Sequence, residues 1–148
     1  MNVLKTRSEL LLGKTIFDMK LNVGYYARVS TDKDDQLNSL ENQSNYFREM
    51  IKENKNWNLV GEYIDEGISG TSVKNRGEFL KMLEDSRLGK LDLIVTKEIS
   101  RFSRNVVDSI KYTEELLNNG TVVFFISDNI NTIYPDSEFR LALMSSLA

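Results

Sequence analysis

The sequence predicts an α/β fold: three layers, with a mainly parallel central sheet and helices on both of its faces. Short runs rich in β-branched and aromatic residues alternate with segments whose apolar residues recur at helical spacing. Strand–helix–strand alternation of this kind closes by right-handed crossovers into a parallel sheet. The length of 148 residues fits one domain, with enough chain to bury one real core.

Each element has its own justification. Residues 1–20 read as a separate N-terminal extension, a partly ordered arm in which Lys5, Arg7, Lys14 and Lys20 alternate with short apolar groups without a clear period. Residues 23–29 (VGYYARV) read as the first strand, stopped by the cap and turn formers Ser30, Thr31 and Asp32. Leu37, Leu40, Phe47, Met50 and Ile51 predict an amphipathic helix over 36–54. Residues 57–64 form a second strand, and 65–72 (DEGISGTS) a loop loosened by Gly67 and Gly70. Asn75 with Glu78 resembles a capping box. It opens a short helix bearing Phe79, Leu80 and Leu83, which Gly89 closes. Residues 91–96 (LDLIVT) are a third strand. Residues 105–118 are a helix with Val106, Val107, Ile110 and Leu117 on one side, ended by Gly120, and 121–126 (TVVFFI) are a fourth strand. A helical pattern resumes at Phe139 and continues through Leu143, Met144 and Leu147 without a cap, Gly or Pro. Residues 21–148 therefore read as one domain truncated within its last helix.

Composition narrows the chemistry. The chain has no His and no Cys. Ser-His-Asp, Cys-His and other His-based acid–base chemistry is excluded within it. So are zinc sites of the usual kind, haem and iron–sulfur ligation, and a disulfide framework. No metal or cofactor is expected. The net charge of −3 argues against a free-standing DNA binder. No stretch reaches membrane-span length, and the short apolar run at Leu10–Leu12 is too brief for a signal-peptide core, so the expected compartment is the cytoplasm.

In parallel sheets, sites form beyond the carboxyl ends of the strands. Three segments fall near that rim. In Tyr26–Thr31 (YARVST), Arg28 and Ser30 share a face if the strand continues, because strand side chains alternate. A guanidinium beside a hydroxyl suits phosphate handling, although a strand-end arginine and a serine helix cap would look the same. In Lys97–Asn105 (KEISRFSRN), Arg101 and Arg104 share a helical face and Phe102 turns inward to anchor the turn. Arginines concentrated at a site rim suit a doubly ionic transition state such as phosphoryl transfer; the alternative is a solvated cationic helix start. The third segment runs from Ser69, in a glycine-flanked loop, to Arg76 at the start of the next helix.

Together these segments resemble the catalytic domain of serine recombinases, the resolvase/invertase superfamily, over residues 22–148. The YARVST run followed by Gln36 is similar to the family's nucleophile motif, and DEGISG to its second serine motif. Arg76 is similar to the arginine that opens the following helix, and ISRFSRN to the double-arginine motif. Residues 125–132 (FISDNINT) are similar to the segment before the family's last catalytic-domain helix. The ISRFSRN and DNINT wording looks more like the large serine recombinases of phages and mobile elements. Many small resolvases carry Asp where this chain has Ser100, so the proton-handling or orienting role assigned to that Asp does not transfer.

The resemblance implies a site-specific recombinase of the integrase, transposase or resolvase type. It makes Ser30 the nucleophile that attacks a DNA phosphodiester, forms a 5′-phosphoserine link and releases a 3′ hydroxyl, with no cofactor. Arg28, Arg76, Arg101 and Arg104 would hold the phosphate oxygens, and Ser69 and Gln36 would position phosphate or nucleophile. Lys97 and Thr132 would support the site. The implied partners are double-stranded DNA at specific sites and further copies of the chain, as dimer and as synaptic tetramer. Two other readings stay open: a non-catalytic assembly or regulatory module on the same scaffold, and a metal-dependent nuclease using Asp65, Glu66 and Asp128.

Overall fold

The computed structural model describes residues 1–29, 39–67, 76–103 and 105–147. Five strands form one sheet: β1 (Leu21–Val29), β2 (Trp57–Glu66), β3 (Leu93–Thr96), β4 (Val122–Phe125) and β5 (Ile130–Asn131). Their order is β2-β1-β3-β4-β5. The first four are parallel, and β5 runs antiparallel to β4. The helices are α1 (Val3–Leu11), α2 (Leu40–Glu53), α3 (Gly77–Arg87), the single turn α4 (Ile99–Phe102), α5 (Val106–Asn118) and α6 (Ser137–Leu147). The predicted three-layer α/β fold is the one observed.

Alternation along β1 and β3 builds two cores. Val23, Tyr25 and Ala27 of β1, with Leu93 and Val95 of β3, face Phe47 and Ile51 of α2 on one side. Tyr26 and Ile94 face Phe79, Met82 and Leu83 of α3, Leu116 of α5 and Leu141 of α6 on the other. β1 and β3 are thus apolar on both faces, as central parallel strands must be when helices cover each side.

Element by element, the boundaries shift by a few residues. The described part of the second helix starts at Leu40, where the Ser39 hydroxyl accepts from the Asn42 N–H; residues 36–38 lie outside the described residues. The α3 start is not capped locally by its own N-cap, Arg76. The Asp65 carboxylate of β2 accepts instead from the N–H groups of Glu78 at 2.9 Å and Phe79 at 3.2 Å; Asn75 lies outside the described residues. β5 is an addition, two residues long, reached through a turn that places Asn129 at φ 50°.

The N-terminal extension, expected to be a partly ordered arm, carries regular structure. It forms α1 and a single 3-10 turn over Ile16–Asp18. Ile16 and Met19 are buried in the α2-side core, and Met1, Val3 and Leu10 pack against it. The Trp57 indole N–H donates to the Ile16 carbonyl at 3.0 Å, and the Phe17 ring stacks on Trp57 at 5.3 Å. The apolar residues of this segment lack a clear period because they meet the sheet's lower edge from a helix, a turn and a loop in succession.

Candidate active site

The carboxyl ends of β1, β2 and β3 carry the site. Val29 ends β1, and residue 30 follows outside the described residues. One residue in from the end of β1, Arg28 pairs in register with Asp65 of β2. Tyr26 points to the α3 side, where it is fully buried. Its hydroxyl donates to Asp65 Oδ2 at 2.8 Å and accepts from Arg76 Nε at 3.2 Å. Burial pushes the Tyr26 phenol above the ordinary tyrosine range, so it remains a proton donor. The Tyr26 carbonyl accepts from the Thr96 hydroxyl at 2.9 Å, which ties β1 to the end of β3.

Arg76 is 5% exposed, because its guanidinium is used inward. The group lies 3.7 Å over the centre of the Phe79 ring, a cation–π contact, and Nη2 donates to the Arg101 carbonyl at 3.2 Å. The arginine that opens α3 thereby holds the backbone of α4, the turn that bears Arg101.

Two further contacts fix α4. The Ile99 N–H donates to Asp128 Oδ2 at 3.0 Å, so the loop after β4 caps the turn. Phe102 is fully buried, edge-on to Phe79 at 5.0 Å and to Phe125 at 5.4 Å. With Phe102 committed inward as predicted, Arg101 stays half-exposed at the rim. Ser100 is exposed, and its hydroxyl donates to Glu98 Oε2 at 3.1 Å. Lys97, half-buried, follows the end of β3, and its carbonyl accepts from the Ser127 N–H at 2.9 Å.

The arginines share one field. Burial lowers the Arg28 pKa, and the positive charges of Arg76 and Arg101 act in the same direction against Tyr26 and Asp65. Repulsion of this kind between cations is relieved when an anion binds between them.

The structure therefore brings Arg28, Arg76 and Arg101 together, with Lys97 on the same rim. Thr132 lies away from the rim. Its hydroxyl accepts from the Val123 N–H at 2.8 Å, and its N–H donates to the Val123 carbonyl at 3.0 Å. Val123 is level with Ile94 and Gly24, five residues below the end of β1. Thr132 thus extends the edge of the sheet far from the rim, at 2% exposure. Ser30, Gln36, Ser69 and Arg104 lie outside the described residues.

Sequence reading missed Tyr26 and Asp65 as the joint of the site. The signal was available: a tyrosine two residues before Arg28 on a strand, and an aspartate closing the neighbouring strand. The carboxylates a metal-dependent nuclease would gather are dispersed, since Asp65 caps α3 and Asp128 caps α4. Among the described residues no group of three or more His, Cys, Asp or Glu could hold a metal ion.

Comparison with known proteins identifies the fold and the family. Residues 23–148 match the family model described as Resolvase, N terminal domain. A resolvase family site-specific recombinase from Streptococcus pneumoniae superposes with a TM-score of 0.69 at 29% identity, over 86% of this chain and 87% of that one. The N-terminal catalytic domain of TP901-1 integrase superposes with a TM-score of 0.70 at 20% identity, over 85% and 93%. The C-terminal catalytic domain of ISC1926 TnpA, an IS607-like serine recombinase, gives 0.60 at 22% identity, over 71% and 68%. No curated protein matches the chain. With its arginine-lined rim on this sheet and a family match over nearly all of the chain after α1, the chain belongs to the resolvase family of site-specific serine recombinases, whose N-terminal domain it carries.

Proposed function

We propose that residues 21–148 are the DNA-cleaving domain of the recombinase and that Ser30 is its nucleophile. The family implies a DNA substrate and oligomeric assembly. The observation that carries the assignment is the convergence of Arg28, Arg76 and Arg101 on the end of the strand that Ser30 directly follows. Serine is a weak nucleophile unless its proton is removed or the developing charge is stabilised. The chain has no His to remove it, so arginine stabilisation of the pentavalent phosphate takes the larger share.

In this reading the Ser30 oxygen attacks phosphorus, the 3′ oxygen leaves, and a 5′-phosphoserine link preserves the bond for rejoining. Arg28 and Arg101, with Arg104 three residues on, hold the non-bridging oxygens. Arg76 acts chiefly by fixing Arg101, given where its guanidinium is used. Ser69, Gln36 and Lys97 orient phosphate or nucleophile. Specific recombination sites, a dimer and a synaptic tetramer complete the proposal.

The test uses the full-length recombinase and a suicide DNA substrate that traps the cleaved strand. Ser30→Ala is expected to abolish the covalent protein–DNA adduct while the circular dichroism spectrum is retained. Adduct formation at the wild-type level by that variant would move the nucleophile elsewhere.

A further inference from the structure

The family match begins at Val23, so α1 and the 3-10 turn belong to this chain rather than to the shared domain. They are nonetheless built into it, at the pole opposite the arginine rim. The Met1 nitrogen donates to the Gly120 carbonyl at 2.9 Å, just before β4 begins. Trp57, which receives the turn, is the first residue of β2.

One contact reaches further. Arg7 Nε donates to the carbonyl of Ile133 at 2.7 Å, across 126 residues of sequence. Ile133 opens the turn that launches α6. Its N–H donates to Asn131 Oδ1 at 3.0 Å, the Tyr134 N–H to the Asn131 carbonyl at 3.2 Å, and the Ser137 N–H to the Tyr134 carbonyl at 3.1 Å. A charged donor on a carbonyl is among the stronger hydrogen bonds, and this one grips the last stretch of chain before the helix. Beyond it, α6 runs for 11 residues. At 1.5 Å per residue that is about 16 Å, so a tilt of about 10° at the base moves the far end by about 3 Å. α6 presents exposed Phe139, Leu143 and Met144 along its length.

We propose that residues 1–20 are a brace that sets the angle at which α6 lies on the domain, with Arg7 as its positioning residue. The brace acts on how the apolar side of α6 is presented, and it leaves the chemistry of the rim alone. It is therefore independent of whether Ser30 is the nucleophile.

The absence of cysteine makes a direct test possible. Asn58→Cys, on an exposed position of β2, and Met144→Cys, on α6, accept a pair of spin labels. Electron–electron resonance then gives the distance distribution between them. Arg7→Ala is expected to broaden or shift that distribution by several ångströms with Tm nearly unchanged. Arg7→Lys, which keeps a charged donor, is expected to restore much of the narrow distribution. An unchanged distribution in Arg7→Ala overturns the proposal. So does a large fall in Tm with uniform broadening, which would make Arg7 an ordinary stability residue, or a failure of Arg7→Lys to differ from Arg7→Ala.

Discussion

The Tyr26 hydroxyl sits where β1, β2 and α3 meet, donating to Asp65 and accepting from Arg76. Its removal leaves the Arg76 Nε–H without its acceptor in a site that is 5% exposed, and leaves Asp65 Oδ2 with one donor fewer. An unpaired buried group costs more than a hydrogen bond contributes, about 1–3 kcal/mol. Tyr26→Phe is therefore expected to lower stability by about that amount, seen in urea unfolding as a fall in midpoint at constant slope. Tyr25→Phe is the internal comparison. The Tyr25 hydroxyl donates to Glu62 at 3.0 Å on the other face of the sheet, where Glu62 is exposed and also paired with Arg48. Water can replace that partner, so the loss there is expected to stay below about 1 kcal/mol. Equal losses in the two variants would show that the Tyr26–Asp65–Arg76 joint has no special weight.

At the scale of elements, local chemistry was legible and distant partners were not. The sequence marks Gly120 as the end of a helix. It adopts φ 84°, and its N–H donates to the Leu117 carbonyl at 2.9 Å. The spacing of Arg101 and Arg104 predicts that Phe102 turns inward, and Phe102 is fully buried. Residue type and position bring Arg28, Arg76 and Arg101 forward as candidates, and the charges of Arg76 and Arg101 reach Arg28. What failed depended on contacts between remote segments. The α3 cap comes from Asp65, thirteen residues upstream of the first N–H it accepts. Thr132 belongs to the sheet edge because β5 turns back along β4, a pairing only two residues long and without a sequence period. α1 is ordered by the sheet it docks on. Gly120 also bears on that docking, since a side-chain carbon there would lie 2.6 Å from the Met1 carbonyl oxygen. Gly120→Ala combines a left-handed backbone with this clash. It is expected to cost about 1–3 kcal/mol in thermal or chemical unfolding, and a neutral result would argue against the close approach of α1.

Over the whole molecule, charge is divided against the net value. Residues 1–20 hold four basic and two acidic side chains, so the rest of the chain carries −5 within a total of −3. An acidic body repels DNA at long range, and in the proposed reading Arg28, Arg101 and Lys97 at the rim supply the local attraction. Arg76 adds little to direct phosphate contact, because its guanidinium lies on Phe79 and on the α4 backbone. Each neutralised phosphate contributes a slope of about −0.9 to the logarithm of affinity against the logarithm of salt concentration. With the rim arginines clamping a single phosphate, this chain on duplex DNA is expected to bind weakly with a slope of about −1. Arg101→Ala is expected to flatten part of that slope, whereas Arg76→Ala leaves it nearly unchanged and acts through the position of α4. Fluorescence anisotropy across a salt series separates the two. If Arg76→Ala flattened the slope as much as Arg101→Ala does, Arg76 would have to turn outward onto DNA, and the inward geometry around Tyr26 would belong only to the DNA-free molecule.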